Sequence, residues 1–104
     1  MERFVQPCVL KQIAMEVIHD QEDWRFYIKV ADEEAELTYS YPEDTVLDFD
    51  YTFVPQSARN QGLADKLVQA GLEFARENNY QVIPSCPVVE AYVKRHPEYQ
   101  DLLT

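Results

Sequence analysis

Cysteine, glycine and basic residues are all scarce in this sequence of 104 residues. The two cysteines, Cys8 and Cys86, are too few for the disulfide framework of a small secreted protein, so we expect a reducing, cytoplasmic setting. With only two histidines beside them, no four-ligand spacing for zinc exists, and no metal site is expected. No apolar run approaches the roughly 18 residues of a membrane-spanning helix, and residues 1–7 lack the apolar core of a signal peptide.

Negative charge dominates the chain, which has nine Lys and Arg residues but nineteen Asp and Glu residues and therefore a formal net charge of −10. Such a surface repels phosphate backbones and anionic lipids, so neither nucleic acid nor a membrane is expected as a partner. It would attract a cationic small molecule or a basic peptide by electrostatic steering. Solubility alone explains an acidic surface equally well, and nothing in the sequence decides the oligomeric state.

The chain length suits one domain, which we expect to span residues 1–104, with residues 1–11 as an additional N-terminal arm. Apolar residues alternate with polar ones in four successive rows of the first half, which predicts four antiparallel strands. The fourth row places Leu47, Phe49, Tyr51 and Phe53 on one face of its strand. His19 falls in a short polar link and is predicted to lie in a surface turn.

The hydrophobic period changes after Pro55, and from Leu63 it indicates one long amphipathic helix. Ser57 or Asn60 is the predicted N-cap, and the Asn78–Asn79 pair the predicted stop. A short strand at residues 81–83 and a second helix at residues 88–95 follow. The order β-β-β-β-α-β-α predicts an α+β fold, whose mixed sheet is mostly antiparallel with one parallel pair made by a right-handed crossover.

The turn before the long helix is the candidate ligand site. A glycine near a helix start costs about 1 kcal/mol relative to alanine, so Gly62 indicates close approach of a ligand. Unpaired N–H groups and the helix dipole attract anions there, and small side chains at Gly62 and Ala64 would let a diphosphate reach the amides. Arg59 is the first basic residue after Lys29, and the interval between the two contains eight acidic residues. Alternatively, Arg59 is a solvated turn residue and Gly62 only eases helix packing.

Arg59-x-x-Gly62-x-Ala64 after a strand resembles the Q/R-x-x-G-x-G/A coenzyme A signature of the GNAT superfamily of N-acetyltransferases. The order of elements and the segments 83–87 and 91–99 resemble a short GNAT-like family, over roughly residues 24–103. The resemblance implies a GNAT-like fold that uses acetyl-CoA as acetyl donor, its pantetheine arm lying in a gap between strands 46–54 and 81–83. It further implies a set of coenzyme-binding residues: Arg59, Asn60, Gln61, Gly62, Leu63 and Ala64.

Three residues are candidates for the chemistry. Cys86 precedes a helix N-terminus that would favour its thiolate; it is a covalent acceptor, a coenzyme contact or a packing residue. Tyr92 matches a position where many GNAT enzymes protonate the departing thiolate, although it could simply pack its helix on the sheet. Relatives tend to carry His-Thr where this chain has Tyr51-Thr52, and a tyrosine replaces that histidine poorly as a base. Tyr51 is a hydrogen-bond donor or a core residue.

The leading functional expectation is therefore an N-acetyltransferase that moves an acetyl group from acetyl-CoA to a primary amine, either of a small molecule or of a peptide lysine. The alternative is a non-catalytic coenzyme A-binding or regulatory module, which the missing histidine favours. A structural interaction domain, which would bind no coenzyme, is the third possibility.

Overall fold

The structure, a computed structural model, describes residues 16–30, 32–59 and 61–103. The regular elements are β1 (Ile18–Asp20), β2 (Arg25–Val30), β3 (Glu33–Glu43), β4 (Val46–Phe53), α1 (Leu63–Glu77), β5 (Gln81–Ile83) and α2 (Pro87–Arg95). Two 3-10 turns, Gln56–Ala58 and Pro97–Leu102, precede α1 and follow α2. No helix among the described residues is long and apolar enough to cross a membrane. The predicted arm at residues 1–11 lies outside the described residues.

The five strands form one sheet in the order β1-β2-β3-β4-β5. Consecutive strands pair antiparallel, except that β4 and β5 are parallel and are joined through α1. This confirms the predicted α+β fold, with its mostly antiparallel sheet and single parallel pair. The first predicted row began at residue 13, of which only Val17 is described; the strand in the structure begins at Ile18.

Apolar residues of the sheet and of both helices meet in one core. Leu67 and Leu72 of α1, both fully buried, lie with Phe49 of β4, Ile28 of β2 and Val89 of α2 in the same cluster. The C-terminal 3-10 turn adds its own apolar residues, Tyr99 and Leu102. Burial of this apolar surface is the main stabilising contribution to the fold, since burying one such side chain stabilises by about 1.5–3 kcal/mol.

A β-bulge interrupts the pairing of β3 with β4. Thr38 lies opposite Tyr51 while the next residue of β3, Tyr39, lies opposite Phe49, so Asp50 is an extra residue in β4. The Thr38 hydroxyl donates a hydrogen bond to the Asp50 carboxylate at 2.7 Å. Because the side-chain period of a strand is two, one extra residue exchanges the faces of everything beyond it.

The bulge makes the predicted fourth row wrong beyond Phe49. Tyr51 and Phe53 are 51% and 40% exposed, whereas Phe49 is fully buried. Thr52 instead pairs with the buried Leu37 and therefore shares its inward face.

His19 is also placed differently from the prediction, because it belongs to β1 rather than to a turn. Its ring stacks on Phe26 with centroids 4.0 Å apart and meets the edge of Phe74 at 4.4 Å. Its Nε2 hydrogen-bonds with the Tyr39 hydroxyl at 2.7 Å. The link between β1 and β2 therefore begins after Asp20, and the half-buried His19 ring lies within the strand.

We predict that Gly71→Ala destabilises the protein. A Cβ at this buried position would lie 2.8 Å from Phe49 Cε1 and 3.3 Å from Leu37 Cδ2, both in fully buried side chains. Overpacking costs about 1–3 kcal/mol and alanine regains about 1 kcal/mol of helix propensity, so we expect a net loss of about 1 kcal/mol in urea unfolding. Gln69→Ala, exposed on the same helix, is the control and should change little. Equal or greater stability of Gly71→Ala would contradict this packing.

We predict that His19 makes the protein less stable as the pH falls. Burial lowers the pKa of His19 from 6.5, and the charge of Asp20 opposes this shift only in part. A histidine that is harder to protonate when folded contributes stability above pH 6.5, which is lost as the pH falls through its folded pKa. Unfolding free energies at pH 7.5 and 5.5 should therefore differ less in His19→Phe, a shape-matched variant, than in the wild type. The same difference in both proteins would refute the assignment.

Candidate functional site

A cleft opens where β4 and β5 part. The two strands pair only from Val46 opposite Gln81 to Asp48 opposite Ile83. Pro84, which lacks an N–H group, ends the pairing, and the last contact is the Cys86 N–H to the Phe49 carbonyl at 2.9 Å. Beyond Phe49, β4 runs on without β5 beside it. The gap predicted between strands 46–54 and 81–83 therefore lies beyond β5, between the end of β4 and the start of α2.

The cleft has a volume of about 450 Å³. Its walls come from the end of β4, the turn before α1, the first turn of α1 and one residue of α2. The lining residues are Thr52, Phe53, Val54, Ala58, Arg59, Gly62, Leu63, Ala64, Asp65 and Val88. Four of the six predicted coenzyme-binding residues are among them. Gln61 is exposed and does not line the cleft, and Asn60 lies outside the described residues.

Gly62 is the N-cap of α1, and it has a left-handed backbone with φ of 74°. The N-cap prediction of Ser57 or Asn60 is therefore wrong, and no side chain among the described residues makes a capping hydrogen bond to this helix. A Cβ at Gly62 would meet no atom within 4 Å, so the glycine is required by its backbone conformation and not by close packing. The N-cap residue therefore has no side chain of its own to cover the start of α1.

The first turn of α1 presents backbone N–H groups to the cleft. The first bond of the helix runs from the Lys66 N–H to the Gly62 carbonyl at 3.1 Å. The N–H groups of Leu63, Ala64 and Asp65 make no hydrogen bond to another described residue, as expected for the first turn of a helix. Together with the helix dipole, these donors make this helix terminus favourable for a negative charge.

One basic and one acidic side chain stand beside these amides. The Arg59 Nε donates to the Val54 carbonyl at 3.2 Å, which holds the exposed guanidinium at the cleft wall. The Asp65 carboxylate also lines the cleft, but Arg95 of α2 donates to it at 3.2 Å. Since this ion pair offsets the carboxylate charge, Arg59 and the amides give the terminus a positive character.

Cys86 lies behind the cleft rather than in its wall. It is 5% exposed and is the N-cap of α2, where its carbonyl accepts the Glu90 N–H at 3.1 Å. Its sulfur lies 3.2 Å from the hydroxyl of Thr52, which does line the cleft. Of the two residues, only Thr52 therefore lines the cleft.

The two candidate tyrosines are not brought into the cleft. Tyr92 is buried in α2, where its ring stacks on His96 with centroids 4.1 Å apart. Burial, reinforced by the charges of Asp65 and Glu98, raises the pKa of Tyr92. Its hydroxyl therefore stays protonated, but the side chain does not line the cleft. The bulge turns Tyr51 to the outward face of the sheet.

Sequence reasoning missed Thr52 and Val88 as residues of the cleft. Thr52 fell in the predicted fourth strand, where alternation put it on the face opposite to Phe49, and Val88 was predicted only as the start of the second helix. The dipeptide Tyr51-Thr52 was singled out because relatives tend to carry His-Thr there. That resemblance indicated the end of β4, where Thr52 lines the cleft and Tyr51 does not.

Comparison with known proteins gives the same fold and the same matched region. A family model of the GCN5-related N-acetyl-transferases matches residues 25–102. Protein NATD1 of Mus musculus is 29% identical over 100 residues, covering 93% of this chain and 91% of that protein. Protein NATD1 of Homo sapiens is 30% identical over 83 residues, covering 78% and 74%.

A solution NMR structure of a GCN5-like protein from Staphylococcus aureus has the same fold. It superposes with a TM-score of 0.70 at 30% sequence identity, covering 88% of this chain and 89% of that one. The resemblance read from Arg59, Gly62 and Ala64 is thereby confirmed. The chain belongs to the GCN5-related N-acetyltransferase family.

Proposed function

We propose that the chain binds acetyl-CoA in this cleft and transfers the acetyl group to a primary amine of a small molecule or a peptide lysine. The observation that carries the proposal is the arrangement of the cleft. Its α1 end offers the N–H groups of residues 63–65 beside the Arg59 guanidinium, and its β4 wall carries the Thr52 hydroxyl. The diphosphate of acetyl-CoA would match the α1 end, and its neutral, polar acetyl group would match the β4 wall.

The donor set fits the diphosphate of coenzyme A. Charge-assisted hydrogen bonds from backbone amides and a guanidinium are the usual means of holding a phosphate. The cleft volume of about 450 Å³ lies within the range of small-molecule sites, roughly 300–1,000 Å³. The apolar side chains of Val54, Leu63 and Val88 suit the pantetheine arm that would lie between the two ends.

Acetyl-CoA supplies an acetyl group activated as a thioester. The neutral amine nitrogen attacks the carbonyl carbon, so a C–N bond forms while the C–S bond breaks. The sulfur leaves with the electron pair of that bond and takes up one proton, and the nitrogen loses one, which leaves an amide and free coenzyme A. The protein contributes by holding the thioester in the cleft against the approaching amine, since positioning of two reactants removes much of the entropic barrier.

A cationic acceptor is the class that the charges favour. On the outward face at the same end of β4, the exposed Asp50 is adjacent to Tyr51, and the rings of Tyr51 and Phe53 are exposed as well. Glu36, which pairs with Phe53, is already bound by Arg25 at 3.1 Å and contributes less charge. An acidic, aromatic surface attracts an ammonium group both by charge and through the ring faces. The net charge of −10 acts in the same direction over longer distances.

A non-catalytic coenzyme A-binding module is the second candidate, and one observation favours it. Tyr51 is turned away from the cleft and Tyr92, the candidate general acid, does not line it, so neither candidate tyrosine stands at the acyl end. Steady-state assays over a panel of amines and lysine peptides separate the candidates. Binding without product on any acceptor would favour the module.

We predict that Arg59→Glu weakens acetyl-CoA binding by about 10–100-fold in calorimetric titrations. The change removes a hydrogen bond to a charged group, worth about 1.5–3 kcal/mol, and adds a repelling carboxylate. Lys29→Glu, exposed on β2 and outside the cleft lining, carries the same charge change and is the matched control. Equal weakening in both variants would show that only the net charge matters. No binding by the wild type at millimolar coenzyme would refute the proposal.

We predict that acetyl transfer is direct and that Cys86 carries no acetyl adduct. The thiol is 5% exposed and already hydrogen-bonded to Thr52, which leaves the amine rather than the sulfur free to attack the thioester. A reducing cytoplasm, which we propose from the composition, would keep this cysteine as a free thiol. Intact-protein mass spectrometry after incubation with acetyl-CoA should show no acetylation that depends on Cys86. An adduct that disappears in Cys86→Ala would instead establish the covalent route.

A further inference from the structure

Thr52 differs from every other polar side chain in the described wall of the cleft. The other two are Arg59 and Asp65, which stand at the α1 end and are engaged by the Val54 carbonyl and by Arg95. Thr52 provides the only hydroxyl among the described lining residues, and it lies toward the start of α2. It is therefore the side chain suited to donate a hydrogen bond to a neutral, polar acyl group.

The bulge at Asp50 is what turns Thr52 inward. Without the extra residue, the alternation that buries Leu47 and Phe49 would bury Tyr51 and expose Thr52. With it, Thr52 lies opposite the buried Leu37, and its side chain reaches the thiol of Cys86. The position of the hydroxyl is thus fixed by the sheet and not by a loop.

Cys86 contacts the Thr52 hydroxyl from the side away from the cleft. Two backbone hydrogen bonds fix the residue itself, from its N–H to the Phe49 carbonyl and from the Glu90 N–H to its own carbonyl. The Cys86 sulfur and the Thr52 oxygen lie 3.2 Å apart, and either atom can be the donor. When a bound ligand accepts the hydroxyl proton, the thiol can donate to a lone pair of the Thr52 oxygen, which keeps the contact between the two side chains. A thiol with this role needs no access to the cleft, which agrees with its 5% exposure.

We propose that the Thr52 hydroxyl donates a hydrogen bond to the carbonyl oxygen of the bound acetyl thioester, and that Cys86 is the positioning residue that orients this hydroxyl. The inference rests on the proposed function, because it assigns a residue to the acyl end of that same site. A donor placed at this oxygen stabilises the negative charge that develops there as the amine attacks. It also strengthens binding of the thioester before any reaction.

The test compares two ligands that differ only at this oxygen. S-ethyl-CoA replaces the thioester carbonyl with a methylene group, so it keeps every other contact of acetyl-CoA. In calorimetric titrations of the wild type, acetyl-CoA should bind about three- to tenfold more tightly than S-ethyl-CoA, the contribution of one hydrogen bond. This preference should be lost in Thr52→Val, which has the same shape without the hydroxyl, and kept in Thr52→Ser.

Cys86 variants test the positioning role by the same affinity ratio. Cys86→Ser retains a donor behind Thr52 and should keep the preference, whereas Cys86→Ala should reduce it about twofold. Thermal unfolding monitored by circular dichroism checks that each variant folds, and Thr52→Ala replaces Thr52→Val if the latter does not. An unchanged preference in Cys86→Ala would overturn the role of Cys86.

The outcomes separate this inference from the proposed function. If the wild type binds both ligands equally, or if Thr52→Val weakens both ligands equally, Thr52 does not contact the carbonyl, although the coenzyme site stands. An unchanged preference in Thr52→Val has the same meaning. If the wild type binds neither ligand, the proposed function and this inference both fail.

Discussion

The short parallel pairing of β4 with β5 is the constraint on which the site depends. It covers three residue pairs and ends at Asp48 and Ile83, because Pro84 has no N–H group to donate and the chain then turns into α2. Beyond these pairs, β4 receives one backbone hydrogen bond, from Cys86 to Phe49, and no described strand lies beside its last residues on this side. The resulting cleft is lined by the end of β4, the first turn of α1 and the start of α2. A longer β5 would fill this space with ladder hydrogen bonds.

Two backbone irregularities then give the cleft its chemistry. The left-handed Gly62 opens α1 with no side chain of its own, and the first-turn residues that line the cleft have N–H groups with no partner among the described residues. The bulge at Asp50 turns Thr52 inward and Tyr51 outward, which sets which residues of β4 line the cleft and which lie on the outward face. Neither feature stabilises the fold by apolar burial. Both instead place polar groups where a ligand can reach them.

The order of the elements could be predicted from the sequence because periodicity reports burial directly. Alternation in the first half and the stripe from Leu63 gave four strands and the long helix, and Asn79, with φ of 60°, ends that helix as expected. A hydrophobic period cannot show where a single extra residue is inserted in a strand. The bulge at Asp50, and the exchange of faces between Tyr51 and Thr52 that it causes, therefore could not be predicted. The role of His19 was missed because its partners, Phe26, Tyr39 and Phe74, come from three other elements.

The central claim is that the cleft between β4, α1 and α2 binds coenzyme A through the amides at the start of α1. Titration of isotopically labelled protein with coenzyme A, followed by amide nitrogen and proton chemical shifts, tests it most directly. The account predicts that the largest changes fall on Gly62 to Asp65, with smaller ones at Phe53, Val54 and Val88. No change on titration, or changes confined to the outward face of the sheet around Tyr27 and Lys29, would contradict it.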